Sequence, residues 1–235
     1  MVTGHISTSS AFCEGWSRPE LLASVHKSEE LRKVNSVDQI YFRTRVFGSD
    51  MLEIRQLHAE WLPVDYNEEF YQALSTLDSN VLSVMACIKG TNLIVAMATV
   101  AIKRREIRYN FSCDLLPHLN LDPDNDSVAY ILTLGVVDEL RRSGIASALL
   151  EETTKRISRS DPDCRVVFLH VIDYNEPAMN LYRKHGFVEF KNEPNFYRIA
   201  EVWYSGTLFY KRLKKSTGNW LPDWVQRITM TNKNL

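Results

Sequence analysis

The chain has 235 residues, 45% of them hydrophobic, and its 28 Lys and Arg nearly balance 29 Asp and Glu for a net charge of −1. That supplies the core of one globular domain with extensions, and it excludes an overall basic field for nucleic acid. Cys13, Cys87, Cys113 and Cys164 are scattered without C-x-x-C spacing, which argues for a reducing compartment and against a metal site.

Residues 1–37 are rich in Ser and charge, lack periodicity and carry no basic-then-apolar leader, so they read as a disordered extension. A domain over 38–213 follows. Ile40 to Val46 alternates like a strand. Ser49 or Asp50 can cap the next helix, with Leu52, Leu57 and Trp61 on its buried side, and Pro63 stops it. A short helix is expected from Asn67 to Ser75. Val81 to Lys89 and Leu93 to Lys103 flank Gly90-Thr91-Asn92, a hairpin signal. Arg104 to Asp126 is a polar insertion of a length that is usually functional or disordered.

Val128 to Val137 is an apolar strand run, and Ile145 to Ser158 has helical spacing. Between them stands Arg141-Arg142-Ser143-Gly144-Ile145-Ala146, or R-x-x-G-x-A. A helix start offers unpaired amides at its positive dipole end, so a strand, a basic turn and a helix together suit a pyrophosphate. Gly144 lets the backbone come close, and Ala146 keeps the helix start slim. Val166 to Ile172 reads as a buried strand and Glu176 to His185 as a helix. Phe187 to Phe190 and Thr207 to Arg212 are the last strands, with an aromatic-rich loop from Asn192 to Ser205 between them. Alternating strands and helices imply an α/β fold with a mixed sheet.

The R-x-x-G-x-A turn resembles the acetyl-CoA motif of the GNAT superfamily of N-acetyltransferases. Asn175 to Phe187, with Tyr182 on a helix and Gly186-Phe187 before a strand, is similar to that superfamily's second hallmark. The resemblance implies a mixed central sheet, flanked by helices, whose two central strands, those of Leu134 and Leu169, splay apart to admit the acetyl group. Four local patterns, Trp61 to Tyr66, Val128 to Val137, Phe168 to Val171 and Pro194 to Tyr197, resemble the Golgi-associated N-terminal acetyltransferases, the NatF type. By that resemblance Tyr130 and His170 are the catalytic bases. Leu62, Asp65, Tyr66, Leu132, Phe196 and Tyr197 form the substrate gate. Acetyl-CoA is held by Leu134, Gly135, Val136, Arg141, Arg142, Ser143, Gly144, Ile145, Ala146, Ser147, Asn175 and Tyr182. Asp65 stands where the family has Glu, and Asn195-Phe196-Tyr197 replaces a run of Tyr.

Taken one at a time these residues have plainer readings. Tyr130 is equally a core phenol, and a lone His170 among apolar residues is more often structural. Asn175 also serves as a helix cap. Tyr182 reads equally as an acid for the departing thiolate and as a packing aromatic. The chemistry itself asks little of a base. An α-amine has a pKa near 7.8, so roughly a tenth of an N-terminus is already neutral at pH 7, against far less of a lysine. The expected activity is acetyl transfer to Met-starting N-termini, with lysine or histone acetylation and a cofactor-binding interaction module as alternatives. In the tail, 214–235, Trp220, Leu221, Trp224, Val225 and Ile228 share one helical face downstream of Lys211, Arg212, Lys214 and Lys215. This pattern suggests a peripheral membrane anchor, and the resemblance suggests the cytosolic face of the Golgi.

Overall fold

The computed structural model describes residues 30–34, 36–62, 66–76, 80–103, 118–122 and 125–213. Its frame is a seven-stranded sheet in the order β1-β2-β3-β4-β5-β7-β6. The strands are β1 (Ile40–Arg43), β2 (Val81–Ile88), β3 (Ile94–Lys103), β4 (Ser127–Val136), β5 (Cys164–Ile172), β6 (Val188–Ile199) and β7 (Val202–Arg212). Every neighbouring pair is antiparallel except β4 with β5. The helices are α1 (Met51–Trp61), α2 (Glu68–Ser75), α3 (Ile145–Ser160) and α4 (Glu176–Lys184). This is the mixed α/β fold that the resemblance implies.

Local chemistry explains most of these elements. β3 is nearly continuous in apolar residues because it lies inside the sheet, and Ile94 to Ala98 are buried. Its turn from β2 uses Gly90 at φ 91° and Asn92 at φ 62°, both in the left-handed region. α2 begins at Asn67, whose side chain accepts from the Phe70 amide, and α4 begins at Asn175, whose side chain accepts from the Ala178 amide. α3 packs on β2, β3 and β4. It buries Ile145, Leu149, Leu150 and Ile157, a stripe that supplies roughly 1.5–3 kcal/mol per side chain.

Several expectations need correction. β1 ends at Arg43, whose guanidinium pairs with the Asp50 carboxylate at 2.8 Å. Asp50 therefore caps nothing with its side chain beyond the Phe47 amide. Leu52 is 53% exposed, one position off the buried face set by Ile54, Leu57 and His58. The ordered core starts before residue 38, since Leu31 and Val34 are buried in it. The insertion is also partly built in, because Leu119 packs against Val166 and Phe168 and its carbonyl accepts from Arg212. The largest difference is the aromatic segment. Asn192 to Ser205 is no loop but the far half of a β6–β7 hairpin. It turns through Ala200 (φ 46°) and Glu201 (φ 67°), non-glycine residues in a region where Gly or Asn would have announced a turn. Residues 1–29 and the tail 214–235 lie outside the described residues, as do 63–65, and Asp65 with them.

Candidate active site

Two features of the sheet make the site. The first is a parting. β4 and β5 pair only from Ser127↔Cys164 to Tyr130↔Phe168. Beyond that point β4 stays with β3 as far as Val136↔Ala96, and β5 stays with β7 as far as Ile172↔Gly206. A wedge opens between them, lined by backbone groups that have lost a strand partner. The second is a bulge. On β4 Thr133 faces Thr99 and Ile131 faces Val100, so Leu132 is an extra residue. A buried hydroxyl pair, Thr99 with Thr133 at 2.7 Å, fixes its place.

Tyr130 is the last residue of β4 that pairs with β5, and His170 lies two residues past its partner Phe168. The phenol oxygen and His170 Nδ1 are 3.1 Å apart at the apex of the wedge. Phe196 stacks on the imidazole with ring centroids 3.8 Å apart and planes 15° apart. Burial pushes His170 down to about 4, so the ring is neutral at pH 7. Burial also raises Tyr130 and Tyr197, and lifts Tyr66 to about 12. Neighbouring phenols, Tyr182 among them, oppose one another's ionisation. The phenols here are proton donors, and the imidazole is the neutral acceptor.

The substrate-gate residues approach from two sides. Tyr66 stacks on Phe70 with centroids 4.2 Å apart, and its hydroxyl stands 3.5 Å from the Leu132 carbonyl. Phe196 and Tyr197 come from β6, where a second bulge separates Glu193↔Gly206 from Tyr197↔Tyr204. Leu62 is half-buried at the end of α1.

A cleft of about 850 Å³ runs from the wedge past the start of α3 to the start of α4. Leu134, Gly135, Val136, Arg141, Arg142, Gly144, Ala146, Ser147 and Asn175 line it. Arg142 (φ 67°) and Gly144 (φ 89°) both lie in the left-handed region, and no side chain caps α3. The first amides of α3 thus face the cleft without a side-chain acceptor, which fits an anionic pyrophosphate. Residues 51–187 match the Acetyltransferase (GNAT) family.

The chain belongs to the GNAT acetyltransferase family. It is 31% identical to N-alpha-acetyltransferase 60 of Danio rerio over 76% of this chain and 73% of that protein. It is 30% identical to histone acetyltransferase MCC1 of Arabidopsis thaliana over 68% of this chain and 65% of that one. Arabidopsis thaliana NAA60, solved in complex with a bisubstrate analogue, matches with a TM-score of 0.65 at 31% identity, covering 75% of this chain and 99% of that chain. The same Arabidopsis protein has also been solved with acetyl-CoA.

Within this GNAT domain three expected cofactor residues stand apart from the cleft wall. Ser143 turns its hydroxyl back to the Leu140 carbonyl at 2.6 Å. Ile145 is 1% exposed, so only its amide can serve a ligand. Tyr182 is packed between Phe187 and Phe209, with its phenol toward Tyr130 and Tyr197. Two residues that sequence reasoning missed belong to the site. Trp61 lines the cleft and lies over Gly135, where a Cβ would overlap its ring. It was legible only as a buried helix position. Glu193 stands beside His170, with a carboxylate oxygen 3.3 Å from Nε2. Reading its segment as a loop hid the strand phase that aims it there.

Proposed function

We propose that this protein is an acetyl-CoA-dependent N-α-acetyltransferase acting on Met-starting N-termini followed by a hydrophobic residue or Lys. The observation that carries this reading is the Tyr130–His170 pair at the apex of the β4–β5 wedge, on the same two strands whose parting opens toward the cleft. The name of the zebrafish relative, N-alpha-acetyltransferase 60, agrees with the N-α-acetyltransferase part of it. Bound acetyl-CoA supplies an acetyl thioester whose C–S bond breaks as the C–N bond forms, while the amine gives up one proton. Gly144 and the first amides of α3, with Arg141 and Arg142, hold the pyrophosphate. The free edge of β4 at Leu134 and Val136 aligns the pantetheine as a missing strand would. Tyr130 and His170 take the amine proton, and a neutral imidazole suits that role at pH 7. The rings of Tyr66, Phe196 and Tyr197 restrict the entrance, which suits a chain end better than a side chain flanked by peptide on both sides.

The substrates we expect are proteins whose N-termini face the cytosol, among them membrane proteins. The tail pattern of Trp220, Trp224 and Ile228 behind a basic run supports weak attachment to the cytosolic face of Golgi or related membranes. Among the described residues no helix is long and apolar enough to cross a bilayer. Labelled acetyl-CoA with paired peptides, free and blocked at the N-terminus, tests the activity. Transfer to free Met-Leu and Met-Lys peptides alone is expected. Preferential labelling of blocked histone peptides at lysine would favour the activity for which the MCC1 relative is named. Flotation on anionic liposomes tests the tail: the full chain should float better than one ending at Lys215.

A further inference from the structure

Glu193 belongs to β6, and β7 lies between β6 and β5. With strands about 4.8 Å apart, a β6 side chain must lean across the whole of β7 to touch β5. The β7 partner of Glu193 is Gly206, over which the rings of Phe196 and Tyr197 lie, and beside those rings the Glu193 carboxylate reaches His170. The β6 bulge starts immediately after Glu193 and aims Phe196 over the same glycine. The result is a row of three groups, with Tyr130 Oη 3.1 Å from His170 Nδ1 and Glu193 Oε2 3.3 Å from His170 Nε2. The His170 side chain is 2% exposed and that of Glu193 is 23% exposed. The Glu193 oxygen sits outside hydrogen-bond geometry, and Nε2 has no other acceptor among the described residues. A turn of the partly exposed carboxylate completes the bond, and such bonds commonly tighten when substrate closes a site.

We propose that Glu193 is a positioning residue for His170, fixing the ring proton on Nε2 so that Nδ1 is the acceptor for the Tyr130 phenol. An imidazole has one donor and one acceptor nitrogen when neutral, and the partner of one nitrogen decides the role of the other. With Nε2–H toward the carboxylate, the phenol gives its proton to Nδ1 as its oxygen takes one from the amine. One proton enters the phenol and one leaves, and the imidazolium formed faces a negative charge. The other groups facing this pair are neutral: Phe196 over the ring, and the phenols of Tyr66, Tyr182 and Tyr197 near Tyr130. The catalytic consequence rests on the N-α-acetyltransferase reading, whereas the tautomer does not.

The test uses the full chain carrying Glu193→Gln or Glu193→Asp, each also in a His170→Ala background. ¹⁵N-histidine NMR should find His170 protonated on Nε2 at pH 7 in the wild type. Glu193→Gln should give mixed tautomers and a lower His170 pKa, because a neighbouring anion has been lost. With a Met-Leu peptide, kcat should fall about tenfold, near the lower end of the effect of removing such a partner. KM should hold, and Glu193→Asp should recover part of the loss. In the His170→Ala background Glu193→Gln should cost nothing more. Wild-type kcat with an unmoved tautomer in Glu193→Gln, or an equal loss in both backgrounds, overturns the proposal. If the wild type acetylates no N-terminus, the activity reading fails alone, and the NMR tautomer still decides the role of Glu193.

Discussion

Gly206 makes room for Phe196: a Cβ built on the glycine would stand 2.9 Å from that ring and 3.0 Å from Tyr197. Its φ is not in the left-handed region, so the glycine is there for space and not for backbone freedom. The sheet thus keeps an empty position on β7 for rings carried by β6.

Gly206→Val should therefore lift Phe196 from His170 while β7 itself tolerates or prefers the branched residue. Peptide KM should rise several-fold with little change in melting temperature. Unchanged peptide kinetics would show that the ring stack is unimportant to the gate.

Gly144→Glu should abolish acetyl-CoA binding. It puts a side chain at φ 89° and a carboxylate where the α3 amides face the cleft. Calorimetry against acetyl-CoA checks this, with circular dichroism to show that α3 persists. Wild-type affinity on an intact fold would move the pyrophosphate elsewhere.

Tyr130→Phe and His170→Ala should each lower kcat by about 10²–10⁴-fold, the usual range for a positioned proton-transfer group. Acetyl-CoA affinity should barely change, because neither side chain lines the cleft. Near-normal turnover in both variants would return them to packing roles.

Acid should destabilise the fold more steeply than its carboxylates alone would predict. His58 is 1% exposed among Trp61, Tyr66, Phe70 and Tyr71, and burial holds it, like His170, down to about 4. Between pH 6.5 and about 4 the unfolded chain binds these protons and the native one does not, so stability is full above 6.5 and falls as pH drops through that window. Each ring contributes up to about 3 kcal/mol of this loss. Urea midpoints from pH 7.5 to 4.5 check it: His58→Phe should flatten the slope whatever it does to the absolute stability. An unchanged slope would place the linkage elsewhere.

Much of this was legible in the chain before any coordinates. The hairpin at Gly90-Thr91-Asn92, the caps at Asn67 and Asn175 and the helix after Gly144 rest on local chemistry, and each forms within about two residues of its expected span. The cleft was readable because a pyrophosphate cradle is a contiguous motif. The β6–β7 hairpin was not, because Ala200 and Glu201 take left-handed angles without a turn residue, and the pairing of Ile199 with Val202 on either side closes the turn. Leu52 was misread because an apolar side chain was taken for a buried one: Met51, its neighbour, is the residue on the face of Ile54 and Leu57. Glu193 and Trp61 were out of reach for a related reason: Glu193 depends on the register of the β6–β7 hairpin, and Trp61 on Gly135, which no local pattern ties to it.

The parting of the sheet bears on the lifetime of the protein as well as on its chemistry. Among the described residues the β4–β5 ladder that joins the β1–β4 half to the β5–β7 half has four residue pairs, all at one end. A ligand lying along the wedge clasps both halves, and at a hundred times its dissociation constant it adds about 2.7 kcal/mol to stability. If the ligand is acetyl-CoA, metabolic supply and protein turnover become linked. Saturation with the donor would then protect the chain against proteolysis, and its withdrawal would leave the β4–β5 seam as the place that opens first.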